Sequence, residues 1–120
     1  MLAAHSLACI TVAHWASAHP STASRVHGAL LVAPSDTEAP GFPPGTVGFA
    51  PIPRLRLPFP SLVVASTDDT YITMERVTGL AVDWGSRQVN VGAKGHIGSA
   101  AKLGSWPEGQ ALLEQVLRGA

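Results

Sequence analysis

Apolar residues along the chain fall into short continuous runs and helix-spaced stripes, and the two kinds of segment alternate. Apolar-rich runs that predict buried strands lie at residues 2–4, 26–32 and 61–66, and a further strand is predicted at residues 87–91. Apolar positions that recur about every 3.6 residues predict helices at residues 6–19, 72–84 and 107–117. Because strands that alternate with helices are typical of a parallel sheet, the pattern predicts an α/β fold.

Each of these helices is expected to bury one apolar face. In the first helix the apolar-face positions are Ala8, Thr11, Val12, Trp15 and Ala16. In the second helix they are Met74, Val77, Leu80, Ala81 and Trp84. In the last helix they are Leu112, Leu113, Val116 and Leu117. Pro20 is expected to end the first helix, because proline cannot continue the backbone hydrogen bonds.

Residues 34–58 lie between the second and third strands and carry most of the prolines. Seven of the ten prolines are here, namely Pro34, Pro40, Pro43, Pro44, Pro51, Pro53 and Pro58. A loop of this length without helix or strand is uncommon in a compact domain and usually forms a lid or a binding loop. The alternative is a disordered linker. Apolar side chains such as Phe49 and Leu57 favour a loop that packs against the domain.

Composition and charge narrow the kinds of protein that the sequence can encode. The 120 residues are expected to form one domain, and 46% apolar against 13% charged residues is typical of a globular chain. Eight basic and eight acidic residues balance, and the basic residues are scattered. We therefore expect neither nucleic acid nor a membrane as a partner. Every apolar run is shorter than the roughly 18 residues that a membrane-spanning helix needs.

The single cysteine and the N-terminal residues indicate the cellular compartment in which the protein is expected. Cys9 has no partner for an internal disulfide, so an oxidising compartment is not indicated and we expect a cytoplasmic protein. The alternative is a secretory signal cleaved after Ala16-Ser17-Ala18, because the preceding residues are mostly apolar. Against this alternative, no basic residue precedes the apolar stretch, and His14 and Trp15 interrupt it.

The residues Ala4-His5-Ser6-Leu7-Ala8 lie where the first strand is expected to pass into the first helix. They are a variant of the G-x-S-x-G nucleophile elbow, a sharp turn that needs small residues two positions before and after the serine. Such a turn places the Ser6 hydroxyl at a helix N-terminus, with the Leu7 N–H as an oxyanion donor. The alternative is a serine that only caps the helix.

An acid and a base follow the next two predicted strands. Asp68 and Asp69 come after the strand at 61–66, and His96 lies in a glycine-containing loop after the strand at 87–91. The carboxyl ends of parallel strands are where open α/β sheets bind ligands. Alternatively, the aspartates cap a helix and the histidine is solvated. Serine, acid and histidine in this chain order are nevertheless typical of α/β-hydrolases.

The sequence also carries longer motifs of one family. The matching stretches are Ala4-His-Ser-Leu7, Leu31-Val-Ala-Pro-Ser-Asp36, Pro40-Gly-Phe-Pro-Pro44, Phe49-Ala-Pro-Ile-Pro53, Leu57-Pro-Phe-Pro-Ser61, Val64-Ala-Ser-Thr-Asp-Asp69, Ala81-Val-Asp-Trp-Gly85, Gly95-His96 and Leu103-Gly-Ser-Trp-Pro-Glu-Gly109. Through them the chain resembles the small serine hydrolases related to retinoblastoma-binding protein nine and YdeN. The resemblance implies a three-layer, parallel-sheet α/β-hydrolase fold.

The resemblance also implies a role for each candidate residue. It makes Ser6 the nucleophile, His96 the general base and Asp69, which precedes Thr70-Tyr71, the orienting acid. Asp68 and Asp36 are the alternative acids. In two respects the chain departs from the family. Ala8 stands where the family usually has glycine. In the family a strand, a Gly/His-rich loop that supplies the second oxyanion donor and a helix precede the elbow strand, and we expect this chain to lack them.

The expected function is hydrolysis of a small ester, thioester or amide by way of an acyl-enzyme. The expected substrate is a small acyl compound, with no cofactor and no metal, and Phe42, Phe49 and Ile52 are the expected walls of its pocket. Residues 1–120 would then be one partial domain that lacks the N-terminal strands. Two alternatives remain: a truncated chain that is catalytically silent or only binds ligands, and a small secreted protein.

Overall fold

The computed structural model describes residues 1–119, apart from the side chain of Ala100. The strands of the described residues are β1 (Leu2–His5), β2 (Ala29–Val32), β3 (Ser61–Ala65) and β4 (Arg87–Asn90). The helices are α1 (Leu7–Ala18), α2 (Pro20–Ala23), α3 (Met74–Trp84) and α4 (Pro107–Leu117), and a 3-10 turn spans Ser99–Ala101.

The four strands form one parallel sheet in the order β1-β2-β3-β4. The register places His5 beside Val32 and Val32 beside Val64, so the carboxyl ends of the first three strands are level. The predicted parallel α/β fold is therefore confirmed. Because the strand order follows the chain order, each strand lies next to the one that precedes it.

Side chains of alternate strand residues pack on opposite faces of the sheet. Leu31 and Val63 belong to a core cluster that also holds residues of α1, α2 and α3. Their sequence neighbours Val32 and Val64 belong to a second cluster, which includes Leu112 and Val116 of α4. Helices thus cover both faces of the sheet, and the predicted three layers are present.

The first and last helices differ from the predicted faces. In α1 the buried residues are Cys9, Ile10, Ala13 and Ala16, whereas Ala8 and Thr11 are exposed. Because apolar residues occur on every side of this helix, their spacing does not locate the buried face. Pro20 ends α1 as predicted, but it also begins the short helix α2, since proline fits the first helical position. In α4, Leu117 is 47% exposed and lies outside the core.

The long segment between β2 and β3 is a packed loop and not a linker. Ile52 and Leu57 are buried, and the indole N–H of Trp84 donates to the carbonyl of Pro53 across 2.8 Å. The Arg76 guanidinium donates two 3.0 Å hydrogen bonds to Asp36. Arg76 also bonds to Glu38, and these two partners raise the pKa of the guanidinium further above its usual range. The loop is therefore tied to α3 near its start, at Asp36 and Glu38, and again at Pro53 in its second half.

A hydrogen bond from a loop N–H also holds Glu38. Its carboxylate accepts the N–H of Ile52 at 2.9 Å and the guanidinium of Arg76 at 2.6 Å. These bonds, the first above all, lower the pKa of Glu38 below its usual value. The carboxylate stays charged at neutral pH and closes a network that links both halves of the loop to α3.

Gly79 within α3 and Gly85 directly after it are expected to respond to alanine in opposite directions. Gly85 ends the helix with φ 69°, and an added Cβ would lie 3.0 Å from Arg56, so Gly85→Ala should lower the free energy of unfolding by about 1–2 kcal/mol. Gly79 lies within the helix, and its added Cβ would meet no described atom nearer than 3.9 Å. Gly79→Ala should therefore raise that free energy by about 0.5–1 kcal/mol. Urea unfolding measured by circular dichroism tests the pair, and equal signs would contradict this description of the helix end.

Candidate active site

Ser6 occupies the turn between β1 and α1. Its backbone angles are φ 62° and ψ −125°, a conformation that a residue with a Cβ adopts only at a cost of about 1–3 kcal/mol. The hydroxyl makes no capping bond to the first turn of α1, all of which the structure describes. The helix-cap alternative for Ser6 is therefore wrong, and the strained turn projects its side chain away from the helix.

The Ser6 hydroxyl meets the imidazole of His96. Ser6 Oγ lies 2.6 Å from His96 Nε2, and His96 Nδ1 lies 3.0 Å from both carboxylate oxygens of Asp69. The Asp69 side chain is 1% exposed and that of His96 is 19% exposed. The structure thus brings together the serine, the histidine and the aspartate that the sequence singles out.

The topology explains why His96 follows its strand by several residues. Ser6 leaves β1 at one side of the sheet, whereas β4 lies three strand spacings away, a distance of about 14 Å. The chain between Asn90 and His96 has to turn back over the end of β3 to reach the serine. Gly92 and Gly95 have φ values of 82° and 59°, which allow this reversal.

The Asp68 carboxylate binds the backbone of the loop that carries His96. Its Oδ1 accepts the N–H of Gly95 at 2.7 Å and the hydroxyl of Ser66 at 2.9 Å. Ser66 Oγ in turn accepts the N–H of Lys94 at 2.9 Å. The bond from Gly95, followed by that from Ser66, lowers the pKa of Asp68 below its usual value. Asp68 therefore contacts the loop next to His96, whereas Asp69 contacts the imidazole.

Asp36 lies apart from the histidine. It is 8% exposed and pairs with Arg76 on α3, as described above. Of the three carboxylates considered from the sequence, Asp69 is the one that the structure places against His96.

Two further residues touch the site, and sequence reasoning did not single them out. Ser35 follows β2, is 6% exposed, and its Oγ lies 2.8 Å from Ser6 Oγ. His5 donates from Nε2 to the carbonyl of His96 across 2.8 Å, and the two rings lie 5.0 Å apart. The parallel register is the one signal that could have found Ser35, since it sets the end of β2 beside the end of β1.

A cavity of about 540 Å³ adjoins His96. The residues around it are Tyr71, Ala93, Lys94, Gly95, His96, Gly98, Ser99 and Ala101. The Tyr71 ring lies 4.4 Å from the His96 ring. The expected pocket residues Phe42, Phe49 and Ile52 are not among its lining: Ile52 is 3% exposed in the core, and Phe49 is partly buried against it.

Cys9 does not offer a second nucleophile at this site. It lies in the first turn of α1 and is fully buried, with its thiol 3.4 Å from the carbonyl of Val32. Burial raises the pKa of the thiol to about 12, so it stays protonated at neutral pH.

Neither a metal site nor a membrane span is found in the part of the chain that the structure describes. Within residues 1–119, no three or more His, Cys, Asp or Glu side chains are grouped to hold a metal ion. No helix among these residues is long and apolar enough to cross a membrane.

Comparison with known proteins places the chain in a family. The family model described as serine hydrolase matches residues 1–115. A crystal structure of a YdeN-like hydrolase from Pectobacterium atrosepticum SCRI1043 superposes with a TM-score of 0.79 at 24% sequence identity. The match covers 98% of this chain and 59% of that one, and at this identity it shows a shared fold. No curated protein matches the chain significantly. From its match over residues 1–115, the chain belongs to the serine hydrolase family.

Proposed function

We propose that this chain carries the catalytic residues of a hydrolase that cleaves a small ester, thioester or amide through an acyl-enzyme. Ser6 is the nucleophile, His96 the general base and Asp69 the orienting acid. The observation that carries the proposal is the chain of hydrogen bonds from Ser6 Oγ through His96 to the buried Asp69 carboxylate. A nucleophile bonded to a base that a third group orients is the arrangement that acyl transfer requires.

The hydrogen bonds define where each proton lies. Asp69 accepts the Nδ1–H of His96, so Nε2 is unprotonated in the neutral imidazole and accepts the hydroxyl proton of Ser6. As Ser6 Oγ bonds to the acyl carbon, this proton moves to Nε2 and Asp69 stabilises the imidazolium. The proton then passes to the leaving group, whose bond to the acyl carbon breaks.

Deacylation repeats the same steps with water. His96 Nε2 takes a proton from a water molecule as its oxygen bonds to the acyl carbon, and then returns a proton to Ser6 Oγ as the ester bond breaks. The products are a carboxylic acid and the free hydroxyl of Ser6.

The N-terminus of α1 supports the developing oxyanion. Leu7 is the first residue of this helix, where N–H groups have no partner within the helix and the dipole favours negative charge. In the proposed mechanism the Leu7 N–H donates to the oxyanion of the tetrahedral intermediate. One such donor is worth about 10²–10³ in kcat.

The cavity beside His96 favours small substrates. Its volume of about 540 Å³ lies within the lower part of the range that is usual for small-molecule sites. Glycine, alanine and serine form much of its wall, with the Tyr71 ring against the imidazole. We therefore propose a small acyl compound as substrate.

A series of p-nitrophenyl esters from acetate to octanoate tests the proposed function. We expect release of p-nitrophenol above the rate in buffer, fastest for the short esters and lost after treatment with phenylmethylsulfonyl fluoride. Rates equal to those in buffer for every ester, from protein that circular dichroism shows to be folded, would favour the catalytically silent alternative.

A further inference from the structure

Ser35 directs its hydroxyl at the nucleophile from the neighbouring strand. Its Oγ lies 2.8 Å from Ser6 Oγ, and the residue is 6% exposed. Ala33, two residues before Ser35, has φ 49°, a left-handed conformation that a residue with a Cβ rarely adopts. The chain thus turns sharply as it leaves β2, next to the turn that carries Ser6.

The direction of this hydrogen bond follows from the other bonds of the site. Asp69 fixes the proton of His96 on Nδ1, and Nε2 therefore receives the one hydroxyl proton of Ser6. With that proton committed, Ser6 Oγ can only accept from Ser35. Ser35 is therefore the donor in the 2.8 Å contact.

We propose that Ser35 is a fourth catalytic residue, which donates its hydroxyl proton in a hydrogen bond to Ser6 Oγ while negative charge develops on that oxygen. This inference rests on the proposed function. Ser35 keeps its proton throughout, and it forms no covalent bond.

The bond should be strongest in the transition states. A hydrogen bond to a charged oxygen is stronger than one to a neutral oxygen, and Oγ gains charge as its proton leaves during acylation and before it is reprotonated during deacylation. In the acyl-enzyme, Oγ is an ester oxygen and a weak acceptor. An interaction that is stronger in the transition state than in the ground state raises kcat and leaves KM unchanged.

Two isosteric variants isolate the hydroxyl. Ser35→Thr keeps it, and Ser35→Val has the same shape without it. With p-nitrophenyl acetate we expect Ser35→Val and Ser35→Ala to lower kcat by about tenfold to a hundredfold at unchanged KM, since hydrogen bonds to charged groups have this strength. Ser35→Thr should stay within about threefold of the wild type.

Ser61 provides a matched control. It is also buried, at 7% exposed, and its Oγ lies 2.5 Å from Ser86 Oγ, close to the other end of the sheet from Ser6. Like Ser35→Ala, Ser61→Ala removes a hydrogen bond between two serine hydroxyls. It should therefore lower Tm about as much as Ser35→Ala does and leave kcat unchanged. If the β-branched variants do not fold, the comparison of Ser35→Ala with Ser61→Ala decides the question.

The outcomes separate this inference from the function on which it rests. An active wild type with an equally active Ser35→Ala, or with Ser35→Thr as slow as Ser35→Val, overturns the role of Ser35 and leaves the hydrolase proposal standing. A folded wild type that hydrolyses none of the esters overturns both.

Discussion

Alanine at Ser6 or at His96 is expected to lower kcat for a short ester by about 10⁶, and alanine at both positions should cost no more than either change alone. In the proposed mechanism the two residues act as one unit, because Ser6 Oγ lies 2.6 Å from His96 Nε2. Without the base the hydroxyl is not activated, and without the hydroxyl the base has no proton to accept. Steady-state hydrolysis of p-nitrophenyl acetate by the two single variants and the double variant measures this.

His19→Ala is the control for loss of a histidine. His19 is exposed at the end of α1, so the kcat of the His19→Ala variant should equal that of the wild type. If the losses of the two single variants multiply in the double variant, Ser6 and His96 act independently, and the proposed proton transfer between them is excluded.

Asp69→Asn is expected to lower kcat by about 10⁴. The Asp69 carboxylate accepts the Nδ1–H of His96, whereas an asparagine amide can donate to Nδ1 and so favours the tautomer with the proton on Nε2. In that tautomer Nε2 cannot accept the hydroxyl proton of Ser6. Because asparagine has nearly the same shape as aspartate, Tm should change little.

Asp68→Asn is the matched control for Asp69→Asn. The Oδ1 of asparagine can still accept from the N–H of Gly95 and the hydroxyl of Ser66, so the loop keeps its place. We expect kcat to stay within about tenfold of the wild type. If Asp68→Asn costs as much as Asp69→Asn, or more, the orienting acid has been assigned to the wrong carboxylate.

The sequence predicts most of the fold because the strands at the centre of the sheet, β2 and β3, are apolar-rich runs and α3 has a single apolar face. Residues 61–65 are all buried in the central strand β3, as their run of apolar residues indicates. In α3, Val77, Leu80, Ala81 and Trp84 are buried as predicted. Where apolar residues occur all round a helix, as in α1, spacing loses its power to locate the buried face.

The sequence predicts the candidate triad for a different reason. Each of its members follows a strand, and parallel strands bring their carboxyl ends to one edge, so chain order indicates that Ser6, an acid and His96 meet. Chain order leaves Asp68 and Asp36 open as the acid, and the family resemblance is what favours Asp69. The contacts of Ser35 and His5 depend instead on register and on loop conformation. Ser35 bonds to a residue 29 positions away, and His5 bonds to the backbone of a residue 91 positions away.

The residues that line the cavity could not be predicted from the sequence either. Phe42, Phe49 and Ile52 are apolar residues in a long loop, which favours a lid, but the loop is pinned to α3 by Asp36 and Glu38 and sends Ile52 into the core. The residues that do surround the cavity are small or polar, and their positions in the sequence show no helical or strand-like period.

The most direct test of the central claim is covalent labelling of the nucleophile. The folded chain is incubated with a fluorophosphonate, and the adduct is located by mass spectrometry of proteolytic peptides. We expect one adduct, on Ser6, that forms in the wild type and in Ser61→Ala and is lost in Ser6→Ala and His96→Ala. A folded wild type without an adduct, or an adduct on another serine, would contradict the assignment of Ser6 as the nucleophile of a serine hydrolase.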